Sequence, residues 1–393
     1  MSKTKKLVPK RRFKKFIITK EWQQVKLGDV SEIIGGGTPS TNISAFWSGD
    51  IDWYSPTEIG NKIYVSQSEK KITQLGLSKS SAKILPIGTI LYTSRAGIGN
   101  TAILAKEAAT NQGFQSIVPK QDKLHSYFIY SRTKELKRYG EAKGSGSTFK
   151  EISGKQLAKM PISLPPLNEQ ILIGEFFKKL DALMQTQQKK LEKTKTLKLA
   201  YLAEMFPCDG ESKPKLRFKN FDKIWNSTFL GLISQIKTGE SDAQDSVAYG
   251  KYPFFVRSEN IERSNRYLFD GEAILIPGEG RLGEIFHYIN GKFDYHQRVY
   301  KISNFSNNID GKFIFYLMQK DFKEHALKYT VKATVDSLRL PMLTNYRLKQ
   351  PILQEQNKIS SFFVKLDKKI ALEQRKLEKL NNIKQAYLNE MFV

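Results

Sequence analysis

The chain has 393 residues, 26 % charged and 40 % hydrophobic, which leaves room for about two domains with cores of their own and sets it apart from disordered polypeptides. Apolar runs such as "AILIP" and "TAILA" are strand-length, far below the roughly 18 to 20 residues that cross a bilayer. The net charge of +25 makes nucleic acid the natural partner, because Lys and Arg displace counterions from phosphates; on charge alone a membrane surface or an acidic protein stays open.

The N-terminal arm, residues 1–20, holds nine Lys/Arg and no acid, with no apolar stretch behind it of the kind a secretion signal carries. A first body, 21–164, offers short β-rich runs ("IDWYS", "GTILYTS", "NTAILA", "QSIVP") broken by "GGGTPS", "SRAGIGN" and "KGSGSTFKEISG", with a helical stretch at "HSYFIYSRTKELKRYG". After Pro165-Pro166 the pattern turns helical through 165–207. Apolar residues at Ile173, Phe177, Leu180, Met184, Leu191 and Tyr201 follow the alternating three-and-four spacing of a coiled-coil seam, with Gln187 and Thr194 as polar interruptions. A linker, 208–224, leads to a second body, 225–350, with "YPFFV", "AILIP", "EIFHYI", "DYHQRVYKI" and a helical "GKFIFYLMQKDFKEHALKY". A second long helix, 351–393, repeats the seam at Ile359, Phe363, Leu366, Ile370, Leu377 and Tyr387. At 1.5 Å per residue each helix is roughly 60 Å long, and a single apolar stripe of that length finds its simplest cover in its own duplicate.

The duplication is explicit. The 42 residues from Pro165 and the 42 from Pro351 align without a gap at 22 identical positions, both ending on Ala-Tyr-Leu-x-Glu-Met-Phe. Upstream, Phe13 matches Phe218, Phe16 matches Phe221, Trp22 matches Trp225, and Leu27-Gly28 matches Leu230-Gly231. Within the bodies "GTILYTSRAGIG" faces "GEAILIPGEGRLG", and Asn111-Gln112 faces His296-Gln297. Each unit is therefore a repeated opening segment, a divergent body and a repeated exit helix, and strands followed by helices within each make the fold class α+β. The circular order places the N-terminal arm beside the end of the second helix, as the linker lies beside the end of the first.

Chemical motifs are sparse. Gly278-Glu-Gly280-Arg-Leu-Gly283 matches a dinucleotide fingerprint, but the fingerprint needs a helix next and "EIFHYI" is strand-like, so a glycine turn between two strands is expected. "GSGSTFK" lacks the Gly-Lys-Ser/Thr of a phosphate loop, and Glu141-Ala-Lys143 has no upstream Pro-Asp to complete a nuclease site. No Asn-Pro-Pro-Tyr or Asp-Pro-Pro-Tyr, the pattern with which amino-methyltransferases hold a flipped base, occurs. His125, His287, His296 and His325 have no Cys or His partners at metal spacing, and Cys208 has no second cysteine. The expectation is a reduced, metal-free, cytoplasmic protein with no catalytic residue of its own.

The whole arrangement resembles the specificity subunits of type I restriction-modification systems. In the first half the resemblance rests on "GGGTPST", "DIDWYSPTEI", "LYTSRAGIG", "NQGFQSIVP", "GSTFKEIS" and "LPPLNEQ", and elsewhere on the two repeated helices; the second body departs from that wording, with "TGES", "GEGRLG" and "KATVDSL" in the corresponding places. The resemblance implies two target recognition domains, 21–164 and 225–350, separated by two long helices in an antiparallel coiled coil with a pseudo-twofold repeat. It implies a non-catalytic subunit that reads a bipartite, asymmetric site on double-stranded DNA, one half-site per domain. The implied partners are two methyltransferase subunits, optionally two restriction subunits, and no membrane. No cofactor is expected on this chain; S-adenosylmethionine is expected in the methyltransferase subunits.

Base readout favours side chains with paired donors and acceptors on loops. The candidates are Ser55, Thr57, Arg95, Gln112, Ser147, Thr148 and Lys150 in the first body and Arg257, Glu259, Arg281, Gln297, Lys332 and Thr334 in the second. Gln112 and Gln297 have a bracing role as the alternative, Arg95 an ion pair, and Trp53 and Tyr54 are expected in the core. A self-contained DNA enzyme and a coiled-coil scaffold that binds no DNA are the competing readings; the missing catalytic motifs count against the first.

Overall fold

The computed structural model describes residues 7–18, 21–95, 97–145, 150–208, 210–329 and 337–393. The chain divides into two units, 1–187 with 376–393, and 188–375, so that each holds one body and half of each long helix.

The first unit runs β1 (Gln23–Lys26), α1 (Leu27–Val30), β2 (Ser31–Gly35), β3 (Trp47–Tyr54), β4 (Tyr64–Val65), β5 (Lys70–Ile72), α2 (Gln74–Ser78), β6 (Ile90–Tyr92), β7 (Thr101–Leu104), β8 (Ala109–Thr110) and β9 (Gln115–Pro119). It continues through α3 (Ser126–Ser131), α4 (Thr133–Lys143), α5 (Gly154–Ala158) and β10 (Pro161–Leu164) into the long helix α6 (Leu167–Glu204). Five strands form a sheet in the order β2-β9-β6-β7-β4, three more the order β5-β3-β8, and β1 pairs with β10 where the body begins and ends. Successive strand residues face opposite sides, and here both sides are covered. Ile90, Tyr92 and Ile103 pack with Phe128, Leu136 and Phe177 on the helix side, while Leu91, Ala102 and Leu104 pack with Tyr54 and Phe114 on the other. That double burial explains why "TILY" and "TAILA" read as continuous apolar runs.

The second unit contains β11 (Asn226–Phe229), α7 (Leu230–Ile233), β12 (Gln235–Thr238), β13 (Tyr252–Phe255), β14 (Ile261–Ser264), β15 (Phe269–Pro277), β16 (His287–Tyr295), β17 (Val299–Ser303), α8 (Gly311–Leu327), α9 (Leu340–Thr344), β18 (Arg347–Gln350) and the start of α10 (Leu353–Met391). One six-stranded sheet has the order β12-β17-β15-β16-β13-β14, and β11 pairs with β18. Along β15, Ile274 and Ile276 face the cluster around Phe313 and Phe363, and Ala273 and Leu275 face Phe255 and Phe293. Residues 278–286 form the turn between β15 and β16, so the glycine fingerprint opens no helix.

The long helices span 38 and 39 residues. In the first unit Lys384 meets Asp181 at 2.5 Å, and the Phe176 and Tyr387 rings are 4.8 Å apart. In the second unit Lys198 meets Asp367 at 2.7 Å, and the Tyr201 and Phe362 rings are 4.9 Å apart. Ascending numbers in α6 meet descending numbers in α10 in both, so the pairing is antiparallel. Ile173, Phe177, Leu191, Ile359 and Phe363 are buried, as are Gln187 and Thr194. Leu180, Met184, Tyr201, Leu366, Ile370, Leu377 and Tyr387 are half-buried. Two helices alone leave the flanks of their stripe in water. Among the described residues no helix is long and apolar enough to cross a membrane.

The repeated words are repeated contacts. Arg12 grips Glu169, in the first turn of α6, through Nε at 2.6 Å and Nη2 at 2.7 Å. Arg217 grips Glu355, in the first turn of α10, at 2.7 Å through both nitrogens. The next residue, Gln170 or Gln356, turns its amide back to the chain: Nε2 donates to the carbonyl of Pro165 (3.0 Å) or Pro351 (2.8 Å). Its Oε1 accepts from the amide of His125 (3.1 Å) or Asp310 (3.0 Å). The Leu-Gly word is a close approach, since a Cβ on Gly28 would stand 2.9 Å from Cβ of Ala158, and one on Gly231 2.9 Å from Cβ of Thr344. The arm and the linker also correspond. The Arg11 amide donates to the Glu390 carbonyl at 2.8 Å, and the Leu216 amide donates to the Glu204 carbonyl at 2.9 Å. The arm thus lies beside the end of the second helix, as the circular order requires.

Candidate nucleic-acid interface

In the first unit several strand ends and the loops after them converge on one edge. The Asn111 amide donates to the Tyr54 carbonyl at 3.0 Å, Gly37 to Thr110 at 2.8 Å, Ser94 to Gly113 at 2.8 Å, and Ile152 to Ser94 at 3.1 Å. Gly36 has to be glycine in this weave, because a Cβ there would stand 2.0 Å from the carbonyl oxygen of Asn111. Trp53 is core, as expected, and its Nε1 donates to the Gly37 carbonyl at 2.8 Å. Tyr54 is buried too, and burial drives its phenol pKa well above the usual value.

Ser55, Thr57, Arg95 and Gln112 come together on this edge. The Ser55 and Thr57 hydroxyls are 2.9 Å apart, and the Ser55 amide and hydroxyl both donate to Oε1 of Glu58, at 2.7 and 2.9 Å. The other carboxylate oxygen of Glu58 accepts from the Glu69 amide at 2.8 Å. Glu58 therefore fixes the turn that presents Thr57 to solvent, a role the sequence alone did not single out. Arg95 lies against Gly113, with Nε 3.6 Å from the place a Cβ would take there. Gln112 is exposed and accepts from the Thr38 hydroxyl, so it braces the "GGGTPS" loop. Lys150 is exposed. Ser147 and Thr148 lie outside the described residues.

The second unit rebuilds the same backbone frame with other side chains. The His296 amide donates to the Phe255 carbonyl at 2.9 Å, Gly278 to Arg298 at 2.8 Å, and Leu338 to Gly278 at 2.7 Å. A Cβ on Gly239 would stand 2.0 Å from the carbonyl oxygen of Tyr295, as Gly36 does against Asn111. The anticipated match of Asn111 with His296 is thus a match of hydrogen bonds, while Gln112 and Gln297 bond differently.

On this frame sit alternating charges. Arg257 pairs with Glu279 at 3.1 Å, and Arg298 pairs with the other oxygen of Glu279. Arg281 pairs with Glu259 and, through Nε, with Glu284 at 3.5 Å, and Glu284 also holds Lys323 at 2.5 Å. Burial works to raise the Glu279 pKa, but the hydrogen bond from Arg257 and the charge of Arg298 outweigh it and keep the carboxyl below its ordinary value. Gln297 is exposed, with its amide tied to the Ser241 carbonyl at 2.8 Å. His296 Nε2 lies 3.1 Å from Asp242, and Arg266 binds Asp245 at 2.8 Å and the Ser241 hydroxyl at 2.9 Å, bracing the loop below. Lys332 and Thr334 lie outside the described residues. Arg298 and Glu279 escaped the sequence reading; the available signal was adjacency, since Arg298 directly follows the matched His-Gln pair.

Comparisons with known proteins agree with this picture. A family model for the type I restriction modification DNA specificity domain matches twice, at residues 19–194 and 222–382. The specificity subunit of the type I restriction enzyme MjaIX from Methanocaldococcus jannaschii is 30 % identical, over 95 % of this chain and 93 % of its own length. That of EcoR124I/EcoR124II from Escherichia coli is 33 % identical over 42 % of this chain and 41 % of its own. The S subunit structure from M. genitalium superposes with a TM-score of 0.68 at 17 % identity, covering 98 % of this chain and 99 % of the other. A chain from structural work on complex assembly of the type I R-M system gives 0.54 at 17 % identity, covering 94 % and 97 %. With both bodies matched and the duplicated clasp visible bond by bond, the chain belongs to the DNA specificity subunits of type I restriction-modification systems.

Proposed function

We propose that this chain reads a bipartite, asymmetric DNA site, one half-site through the edge bearing Ser55, Thr57, Arg95 and Gln112 and the other through the edge bearing Arg257, Arg298 and Gln297. The observation that carries this reading is the pairing of one backbone frame, Gly36 with Gly239 and Asn111 with His296, with unlike exposed side chains. A scaffold needs neither the duplicated frame nor its divergence. Phosphate contacts position a protein and base contacts specify, so the basic arm and helices supply affinity and the loop edges supply choice. Lys150, and in the same sense Ser147, Thr148, Lys332 and Thr334, extend the candidate contacts along the adjoining loops.

The paired helices act as a spacer in this reading. Readers on a stiff rod contact segments about one turn of DNA apart, around 34 Å, which gives a fixed gap of unread base pairs. Two methyltransferase subunits and optionally two restriction subunits assemble on the chain, S-adenosylmethionine is bound by the methyltransferase subunits, and the chain itself performs no catalytic step in the cytoplasm where they act. The test is selection of a randomised duplex pool by the full-length chain assembled with methyltransferase subunits. The reading expects two short blocks of unlike sequence at one fixed separation; a palindrome, a single block or no enrichment would contradict it.

A further inference from the structure

The charges on the second edge are not equivalent. Arg281 is held on two sides, Nη2 by Glu259 and Nε by Glu284. Arg257 and Arg298 are each held by a single nitrogen, Nη1, on the two oxygens of one carboxylate, Glu279. Among the described residues neither has another carboxylate within ion-pair distance, although the charge of Arg257 also reaches Asp242, and their side chains are 51 % and 57 % exposed against 24 % for Glu279. Glu279 is anchored in turn. Its neighbour Gly278 donates to the Arg298 carbonyl at 2.8 Å and accepts from the Leu338 amide at 2.7 Å, and Glu279 itself bridges to Ser337. One carboxylate thus holds two guanidinium groups through Nη1, and among the described residues Nε and Nη2 of each have no hydrogen-bond partner, the edge that makes a two-point contact with paired acceptors. In a DNA groove paired acceptors on one base are N7 and O6 of guanine.

We propose that Arg298, together with Arg257, reads guanine for the second body, and that Glu279 is the positioning residue that fixes both guanidinium groups, whereas Arg281 is a structural brace. This rests on the reading of the chain as a two-edge DNA reader. It moves the expected reading contact from Arg281 to Arg298, a residue of the β16–β17 turn that the sequence motifs passed over.

The test uses the full-length chain assembled with methyltransferase subunits on the same randomised duplex pool, with Arg298→Ala, Arg298→Lys, Glu279→Gln and Arg281→Ala. Circular dichroism reports folding for each. Arg298→Ala and Arg298→Lys should each cut discrimination at one G·C pair about tenfold to a hundredfold, the second showing that the fork and not the charge is required. Glu279→Gln should relax that pair and a second one on the same side of the gap, and Arg281→Ala should leave base preference unchanged. The proposal is overturned if Arg298→Lys keeps the full preference. It is equally overturned if Arg298→Ala weakens all sequences alike with a salt slope shallower by about one, the signature of a phosphate contact. A wild-type chain that selects no sequence contradicts the two-edge reading itself, which separates that failure from this one.

Discussion

The guanidinium of Arg12 and the carboxylate of Glu169 meet in a two-point contact, with side chains only 5 % and 0 % exposed. The same contact recurs between Arg217 and Glu355, at 13 % and 1 %. The arginine comes from the repeated opening segment and the glutamate from the first turn of the exit helix, so each pair clips the start of a body to its end. A carboxylate in a first helical turn also faces the positive end of the helix dipole, which adds to the pairing.

Removing one partner leaves the other charged and buried. Glu169→Gln or Arg12→Ala should each destabilise the first unit by about 3–5 kcal/mol, while a double substitution to apolar residues of similar volume should cost much less. Urea unfolding of the single and double variants measures the difference, and a double variant as weak as the singles would deny that the loss comes from the stranded charge.

Arm and linker use the same hydrogen bond, Arg11 to Glu390 and Leu216 to Glu204. A circular permutant that opens the chain at 208–213 and connects residue 393 to residue 7 through a polar linker of matching length should therefore fold and select the same DNA blocks. The comparison is the wild-type and permutant unfolding midpoints together with their selected sequences. A permutant that fails to fold, with the join lengthened as well, would contradict the equivalence of arm and linker.

Lys301 is 4 % exposed, and its ammonium lies 3.4 Å from the centroid of the Phe269 ring. Burial, and next to it the charge of Lys237 in the paired strand, lower its pKa from 10.5 to about 8. The folded state then holds this proton less tightly than the unfolded state, so the contribution to stability rises as pH goes from about 8 to about 10.5, and below about 8 the penalty is present in full. Lys301→Met should raise the unfolding midpoint at pH 7 and shrink the advantage over wild type above pH 9. Thermal melts across pH 6–10 measure this, and an advantage that grows with pH would carry the wrong sign.

Much of this was legible in the sequence. The duplicated words located the helices, and the structure buries Ile173, Phe177, Ile359 and Phe363 of their apolar stripes in the cores of the two bodies. The strand after Gly283 showed that the glycine fingerprint is a turn. Sequence could also name Ser55, Thr57, Arg95 and Gln112 as candidates on loops of one body, whereas their meeting on one edge follows from backbone bonds between those loops. What stayed hidden were pairings across sequence. Arg298 reaches Glu279 at a separation of 19 residues and Glu58 reaches the Glu69 amide at 11, intervals with no periodic signal, set only by how the loops cross. For the same reason Arg281 and Arg298 look alike in sequence, yet one is held on two sides and the other on one.

Under the proposed function each body reads its own half of the site. Replacing residues 21–164 with the corresponding body of another specificity subunit, and mapping the sequences methylated by the assembled enzyme, tests it most directly. One block should change while the other block and the gap stay as they were. A change in both blocks, or in neither, would contradict it.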